Sequence, residues 1–312
     1  MGMMRIGVDL GGTKIEAIAL DEHGATLARQ RVATPVDDYV STVRAISSLV
    51  SVLEDTLEKS ATVGVATPGA IAPGGGPFAG KLKNANSVCL NGRPLQMDLE
   101  DALQRSVRLA NDADCFALSE ATDGAAAGAS VVFGVIVGTG TGGGIIVNGQ
   151  LLQGANAIAG EWGHNPLPWP LAEELPGPDC YCGKQGCIET FLSGPGLAWD
   201  HVLHTGQTRD AAQIAAQAVS GDAAADATLQ RYEDRMARAL ASVINLLDPE
   251  VIVLGGGLSR IARLYENVPA RWGKYVFSTG EEEPVRTRLV PPTHGDSSGV
   301  RGAAWLWPLA GC

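Results

Sequence analysis

His164, Cys180, Cys182 and Cys187 offer one imidazole and three thiols within a short stretch, with Gly183 and Gly186 supplying turns between them. One nitrogen and three sulfurs make a closed tetrahedral set for zinc, so the metal chemistry expected here is structural rather than hydrolytic. The competing account, unrelated buried thiols, must explain why three of the six cysteines fall within eight residues. A second group of residues suits phosphate. Asp9-Leu10-Gly11-Gly12-Thr13-Lys14, Gly138–Gly144 (with Thr139 and Gly140) and Gly255-Gly256-Gly257 each end an apolar run. Without a Cβ, backbone N–H groups there can approach phosphate oxygens closely.

Gly138, Gly140 and Gly143 fit G-x-G-x-x-G, but a dinucleotide site needs a helix directly after the glycines, and Ile145–Asn148 reads as strand. The first turn is not a Walker sequence, because its glycines and Lys14 stand in the wrong order. Each turn alone is equally a tight hairpin. Two strand–glycine–strand hairpins, bearing Thr13 and Thr139, suit a pair of clamps on the phosphates of one nucleotide. Among carboxylates, Asp112 in Ala110-Asn111-Asp112-Ala113-Asp114 lies at a strand end. It can serve as a proton acceptor or cap a helix beginning near Cys115, and Asp114 competes for either role. Asp9 can hold Mg²⁺ through water or cap its turn. Lys14 can neutralise phosphate or sit solvated on a strand.

The elements that position these residues follow from periodicity and breakers. Arg5–Leu10, Thr13–Leu20 and Ala25–Thr34 read as strands, and Val43, Ile46, Val50, Leu53 and Leu57 mark a helix behind Asp37-Asp38. A strand over Thr62–Thr67 stops at Pro68-Gly69, Ala72–Gly80 is a Gly/Pro loop, and a helix near Leu95–Arg105 precedes the strand Val107–Ala110. Val131–Val137 and Ile145–Asn148 are predicted strands, and periodicity is lost from Gly154 to Gly194. A helix over Arg231–Leu247, a strand Val251–Leu254, a helix from about Ser259, a strand Val285–Val290 and a helix Ser298–Trp307 follow. Hairpins mixed with strand–helix–strand segments imply an α/β protein whose sheets carry both antiparallel and parallel pairs.

With 312 residues the chain can form two domains. Glycine accounts for 40 of the 312 residues, about 13% against a usual ~7%. The net charge of −11, without a basic cluster, argues against a nucleic-acid partner. The uncharged stretch between Asp123 and Glu161 is too broken by glycines and polar residues to span a membrane. MGMMRIGVDL leads straight into a strand, so no signal peptide is expected, and scattered thiols suit a reducing, cytoplasmic setting.

DLGGTK, GTGTGGG, EWGH, the C-x-C…GC cluster and IVLGGG together resemble the ROK sugar kinases of the actin-like ATPase superfamily, from Arg5 to Trp307. LKNANS, AGEWGHNPLPW, CYCGKQGCIETF and HGDSSGVRGAAWLW are similar to the family's bacterial fructokinases, some also described as mannokinases. The resemblance implies a two-lobed, ribonuclease H-like fold with ATP in the interlobe cleft. Residues 1–112 with a C-terminal helix in 291–312 would form the small lobe, and 113–290 the large lobe carrying the zinc loop. It implies ATP and Mg²⁺ as cofactors beside structural Zn²⁺, and phosphorylation of a hexose, fructose before mannose or glucose, at the 6-hydroxyl. It makes Asp112 the general base and assigns the sugar to Gly69, Asn86, Asn111, Asp112, Glu161, His164 and Glu189. Dimerisation is a further family expectation. A DNA-binding regulator would need a domain ahead of the turn at residue 9; an actin-like chaperone has no use for the sugar residues; an inactive sugar sensor would not need Asp112 and three intact glycine turns.

Overall fold

The structure, a computed structural model, describes residues 3–85, 87–278 and 283–308. The chain divides into two compact units, residues 1–127, 149–159 and 296–312 in the first, and 128–148 with 160–295 in the second.

The first unit is built on a sheet ordered Thr26–Ala33, Lys14–Leu20, Met4–Leu10, Ala61–Thr67, Val107–Asn111. The first three strands pair antiparallel as successive hairpins, and the last two join in parallel. Strand composition follows position. Met4–Leu10 is central and almost wholly buried, whereas the edge strand Thr26–Ala33 is largely exposed and carries Arg29 and Arg31. The parallel return between Lys14–Leu20's hairpin and Ala61–Thr67 is made by the helix Tyr39–Leu57. Asp38 starts it by accepting the Ser41 amide, and Ile46, Leu49, Val50 and Leu53 bury its apolar stripe.

The C-terminal helix Ser298–Trp305 lies directly on this sheet. A Cβ on Gly7 would fall 2.0 Å from the Val300 carbonyl, and one on Gly64 1.9 Å from that of Ala303. Gly302 likewise lets the helix touch the Cys115 carbonyl, since a Cβ there would sit 1.6 Å from it. Helix Asp112–Thr122 is therefore packed into the first unit, and the division does not fall after residue 112 as expected. Glycine contacts between distant segments leave no periodicity, which is why the boundary was not legible.

The second unit repeats the plan. Thr141–Val147, Val131–Val137, Val251–Gly255 and Arg288–Val290 lie side by side in that order, the first pair antiparallel and the others parallel. The strand expected over Ile145–Asn148 in fact begins at Thr141, because Gly142, Gly143 and Gly144 pair with Ile136, Val135 and Gly134. These glycines serve packing: Phe133 and Trp162 occupy the space beside Gly143, and a Cβ there would lie 2.8 Å from the Phe133 ring. The long helix starts at Ala223, two turns before the expected Arg231, capped by Asp222. Alanine is the best helix former, but its lack of apolar contrast hid this start. The helix expected from Ser259 is instead three short pieces, Gly257–Arg260, Leu264–Asn267 and Pro269–Trp272. Pro269, which cannot donate an N–H, begins the last of them. The expected strand Val285–Val290 is limited to Arg288–Val290, the part that pairs with Val251–Val253. Among the described residues no helix is long and apolar enough to cross a membrane.

Candidate active site and metal-binding loop

In the first unit, Asp9 ends the central strand opposite Glu16. The turn after it is closed by the Gly11 N–H donating to the Lys14 carbonyl at 3.1 Å. Thr34, which sequence reasoning missed, braces it: its hydroxyl donates to the Gly11 carbonyl at 2.7 Å and its N–H to the Thr13 carbonyl at 3.0 Å. Gly12 and Thr13 are exposed at the tip, with no atom within 4 Å of a Cβ placed on Gly12. Such a turn leaves its amides open to an anion. Lys14 is half-exposed and lies 3.7 Å from buried Glu16, which Arg29 and Arg31 also hold. Dehydration, the neighbouring Asp112 carboxylate and Glu16 push Asp9 up to about 6.

Helix Asp112–Thr122 begins exactly where the strand Val107–Asn111 ends, and its cap is Asn111, not Asp112. The Asn111 side chain accepts the Ala113 N–H at 2.8 Å and donates to the Gly69 carbonyl at 3.1 Å, joining two of the predicted sugar residues. Gly69 cannot be replaced there, with φ +76° and a Cβ position 2.2 Å from the Lys83 carbonyl. Asp112 shares the Ala113 N–H, its Oδ1 also accepting it at 2.8 Å, so one carboxylate oxygen is engaged at the helix start. Solvent reaches Asp112, yet protein crowds around it. That dehydration raises its carboxyl above the ordinary range, outweighing the hydrogen bonds that lower it. A carboxylate of raised basicity at a helix start is equipped to take a proton from a hydroxyl. Asn86 lies outside the described residues.

In the second unit, the Gly138 N–H donates to the Gly140 carbonyl at 2.9 Å, setting Thr139 at the tip of the turn. Beside it is a cavity of about 830 Å³, lined by Gly138, Thr139 and Gly257 together with Gly194, Ala211, Ala215 and Arg260. That volume suits a nucleotide-sized ligand. The helices Gly194–Thr205 and Ala211–Val219 that supply Gly194, Ala211 and Ala215 were not anticipated. Their signals were present as Ser193 with Pro195 and as Asp210 with Gln213, both helix-start patterns. The cavity's lining does not include Gly140, Gly255 or Gly256. Gly256 has φ +80° and leaves room for the Val137 carbonyl, 2.4 Å from its Cβ position.

The loop carrying the candidate metal ligands is held by backbone bonds. Cys180 N–H donates to the Lys184 carbonyl at 2.8 Å, Gly183 N–H returns to Cys180 at 2.9 Å, and Ile188 N–H reaches Asn165 at 2.9 Å. Ligand atoms of His164, Cys180, Cys182 and Cys187 all lie within 4.8 Å of one another. His164 Nδ1 is 3.6 Å from Cys180 Sγ, and Cys182 Sγ is 3.7 Å from Cys187 Sγ. A zinc tetrahedron has edges of roughly 3.5–3.8 Å, which these two pairs match, while the set as a whole spreads to 4.8 Å. The remaining nitrogen of His164 lies 3.0 Å from the Tyr181 hydroxyl. Glu161 directly precedes the short turn Trp162–His164, and Glu189 stands in the first turn of helix Ile188–Leu192. Glu174, between His164 and Cys180, is clamped by Arg235 at 2.7 Å and by Arg238 at 2.7 and 2.8 Å. Burial opposes its ionisation, but those arginines win and hold it down at about 2.

The loop is bonded to the second glycine hairpin. Trp162 Nε1 donates to the Gly142 carbonyl at 3.0 Å, and Glu189 accepts the Thr141 N–H at 2.9 Å.

A sequence model of the ROK family matches residues 5–309. The N-acetyl-D-glucosamine kinase of Vibrio cholerae is 39% identical over 307 residues, 97% of this chain and 99% of that protein. The N-acetyl-D-glucosamine kinase of Yersinia pseudotuberculosis is 38% identical over 309 residues, 97% and 98% of the two chains. Among solved structures, the ROK hexokinase of Thermus thermophilus superposes with a TM-score of 0.82 at 29% identity, covering 97% of each chain. A ROK glucokinase from Streptomyces griseus, in complex with glucose and AMPPNP, gives a TM-score of 0.76 at 28% identity, covering 97% of this chain and 98% of that one.

Proposed function

Since the chain belongs to the ROK family and is a sugar kinase of actin-like fold, we propose that it transfers the γ-phosphoryl group of Mg·ATP to the 6-hydroxyl of a hexose, fructose first and mannose second. The hydroxyl oxygen attacks the γ-phosphorus, the bond to ADP breaks, and Asp112 accepts the hydroxyl proton. Gly69, Asn86, Asn111, Glu161, His164 and Glu189 hold the sugar. The turns at Gly11–Thr13 and Gly138–Gly140 hold phosphates, the 830 Å³ cavity takes the base, and Asp9 holds Mg²⁺ through water. Zinc on His164, Cys180, Cys182 and Cys187 supplies no chemistry to the transfer; it fixes the loop carrying Glu161 and Glu189.

The observation that carries this reading is the placing of Asp112: solvent reaches it at the start of helix Asp112–Thr122, next to Asn111 and near Asp9, and its surroundings raise its basicity. Asp112→Asn keeps the shape and removes the proton acceptor, so kcat should fall by ~10²–10⁴-fold with sugar affinity little changed. Near wild-type turnover in that variant would remove Asp112 from the role.

A second acceptor, N-acetylglucosamine, is favoured by the relatives that span the whole chain. Fructose is favoured by LKNANS, AGEWGHNPLPW, CYCGKQGCIETF and HGDSSGVRGAAWLW. The two readings share the phosphoryl transfer and differ only in the acceptor.

A further inference from the structure

Glu189 makes a contact that a sugar ligand does not require. Its Oε2 accepts the Thr141 N–H at 2.9 Å and lies 2.8 Å from where a Cβ on Gly140 would stand. Gly140 and Thr141 complete the turn whose other members, Gly138 and Thr139, line the large cavity. At the other end of the same short segment, the Gly194 N–H donates to the Gly138 carbonyl at 2.7 Å. The turn is thus gripped through one amide and one carbonyl by the chain from Glu189 to Gly194. Backbone amides bind phosphate well only when their directions are fixed before the ligand arrives.

We propose that Glu189 is a positioning residue for the turn Gly138–Gly140, setting its amides for the nucleotide phosphates apart from any contact with sugar. The inference rests on reading that turn as part of the nucleotide site. It also opposes the simplest electrostatic expectation. A carboxylate beside a triphosphate repels it, so deleting the charge alone should tighten nucleotide binding. If Glu189 positions the turn, deleting the acceptor should weaken it.

The test is the Kd of the non-hydrolysable analogue AMPPNP with Mg²⁺, measured without sugar, for wild type, Glu189→Gln and Glu189→Ala. Gln still offers an oxygen to the Thr141 N–H and should bind the analogue as well as wild type or better. Ala should bind about tenfold more weakly, the size expected for one lost charge-assisted hydrogen bond. Amide exchange at Thr141 should quicken in Ala and not in Gln. Should Glu189→Ala fail to fold, Glu189→Asp, one methylene too short for that amide, carries the same prediction. Ala binding the analogue as tightly as wild type, with Thr141 exchange unchanged, would overturn the inference alone. A wild type that does not bind the analogue would overturn the nucleotide reading and this inference with it.

Discussion

Asp9 is held in a setting that disfavours its own charge. Burial, Asp112 and Glu16 raise it from 3.8 to about 6, so it is ionised at pH 7 against the preference of its surroundings. A carboxyl raised on folding is destabilising above the folded value, and the penalty fades as pH falls through 6 toward the unfolded value near 3.8. Asp9→Asn should therefore raise stability at pH 7, by roughly 1–3 kcal/mol, while weakening Mg·ATP binding; a thermal melt and a binding titration read the two effects. In the wild type, Mg·ATP affinity should drop as pH falls below about 6. Glu174 has the opposite sign. Held at about 2 by Arg235 and Arg238, it contributes stability that is complete above the unfolded value near 4.5 and lost as pH falls toward 2. Glu174→Ala removes a carboxylate shared by two buried guanidinium groups, leaving Arg235 with Asp200 and Arg238 with Asp234, and should cost about 1–3 kcal/mol in a denaturant titration. Asp114→Asn should be much milder in kcat than Asp112→Asn. Spacing left both aspartates open as base or cap, and the structure puts Asn111 at the cap position.

At the scale of elements, the metal loop and the second glycine hairpin form one unit of structure. Trp162 and Glu189 bond it to Gly142 and Thr141, and a Cβ on Gly163 would lie 2.0 Å from the Thr141 carbonyl. Losing the metal should therefore disturb nucleotide as well as sugar. Cys182→Ser, or a strong chelator, should raise KM for both substrates, and metal analysis should return about one zinc per chain. Loss of sugar affinity with nucleotide affinity untouched would show the hairpin to be held without the loop. The cysteine cluster, the glycine turns and most strands were legible because each leaves a spacing or an apolar run. The bond from Glu189 to Thr141 joins residues 48 positions apart and leaves neither. The helices Gly194–Thr205 and Ala211–Val219 were missed although their caps were visible: the first shows little periodic contrast, and the second is only nine residues long with Ile214 its one large buried side chain.

Across the whole molecule, each unit is a hairpin extended by parallel strands, and each presents a short glycine turn at a strand end. The sequence revealed the repeat through its two strand–glycine–strand patterns. It misplaced the boundary because helix Asp112–Thr122 is tied to the C-terminal helix by the close approach at Gly302, a contact across most of the chain. What the two units jointly do is tested by the reaction itself. Initial rates with Mg·ATP over fructose, mannose, glucose and N-acetylglucosamine, with the product's phosphorylated position read by NMR, measure it directly. ADP release should depend on hexose, with the highest kcat/KM for fructose, mannose second, and phosphate on the 6-hydroxyl. A preference for N-acetylglucosamine would replace fructose as the acceptor, and no hexose-dependent ADP release with any of the four would contradict the account.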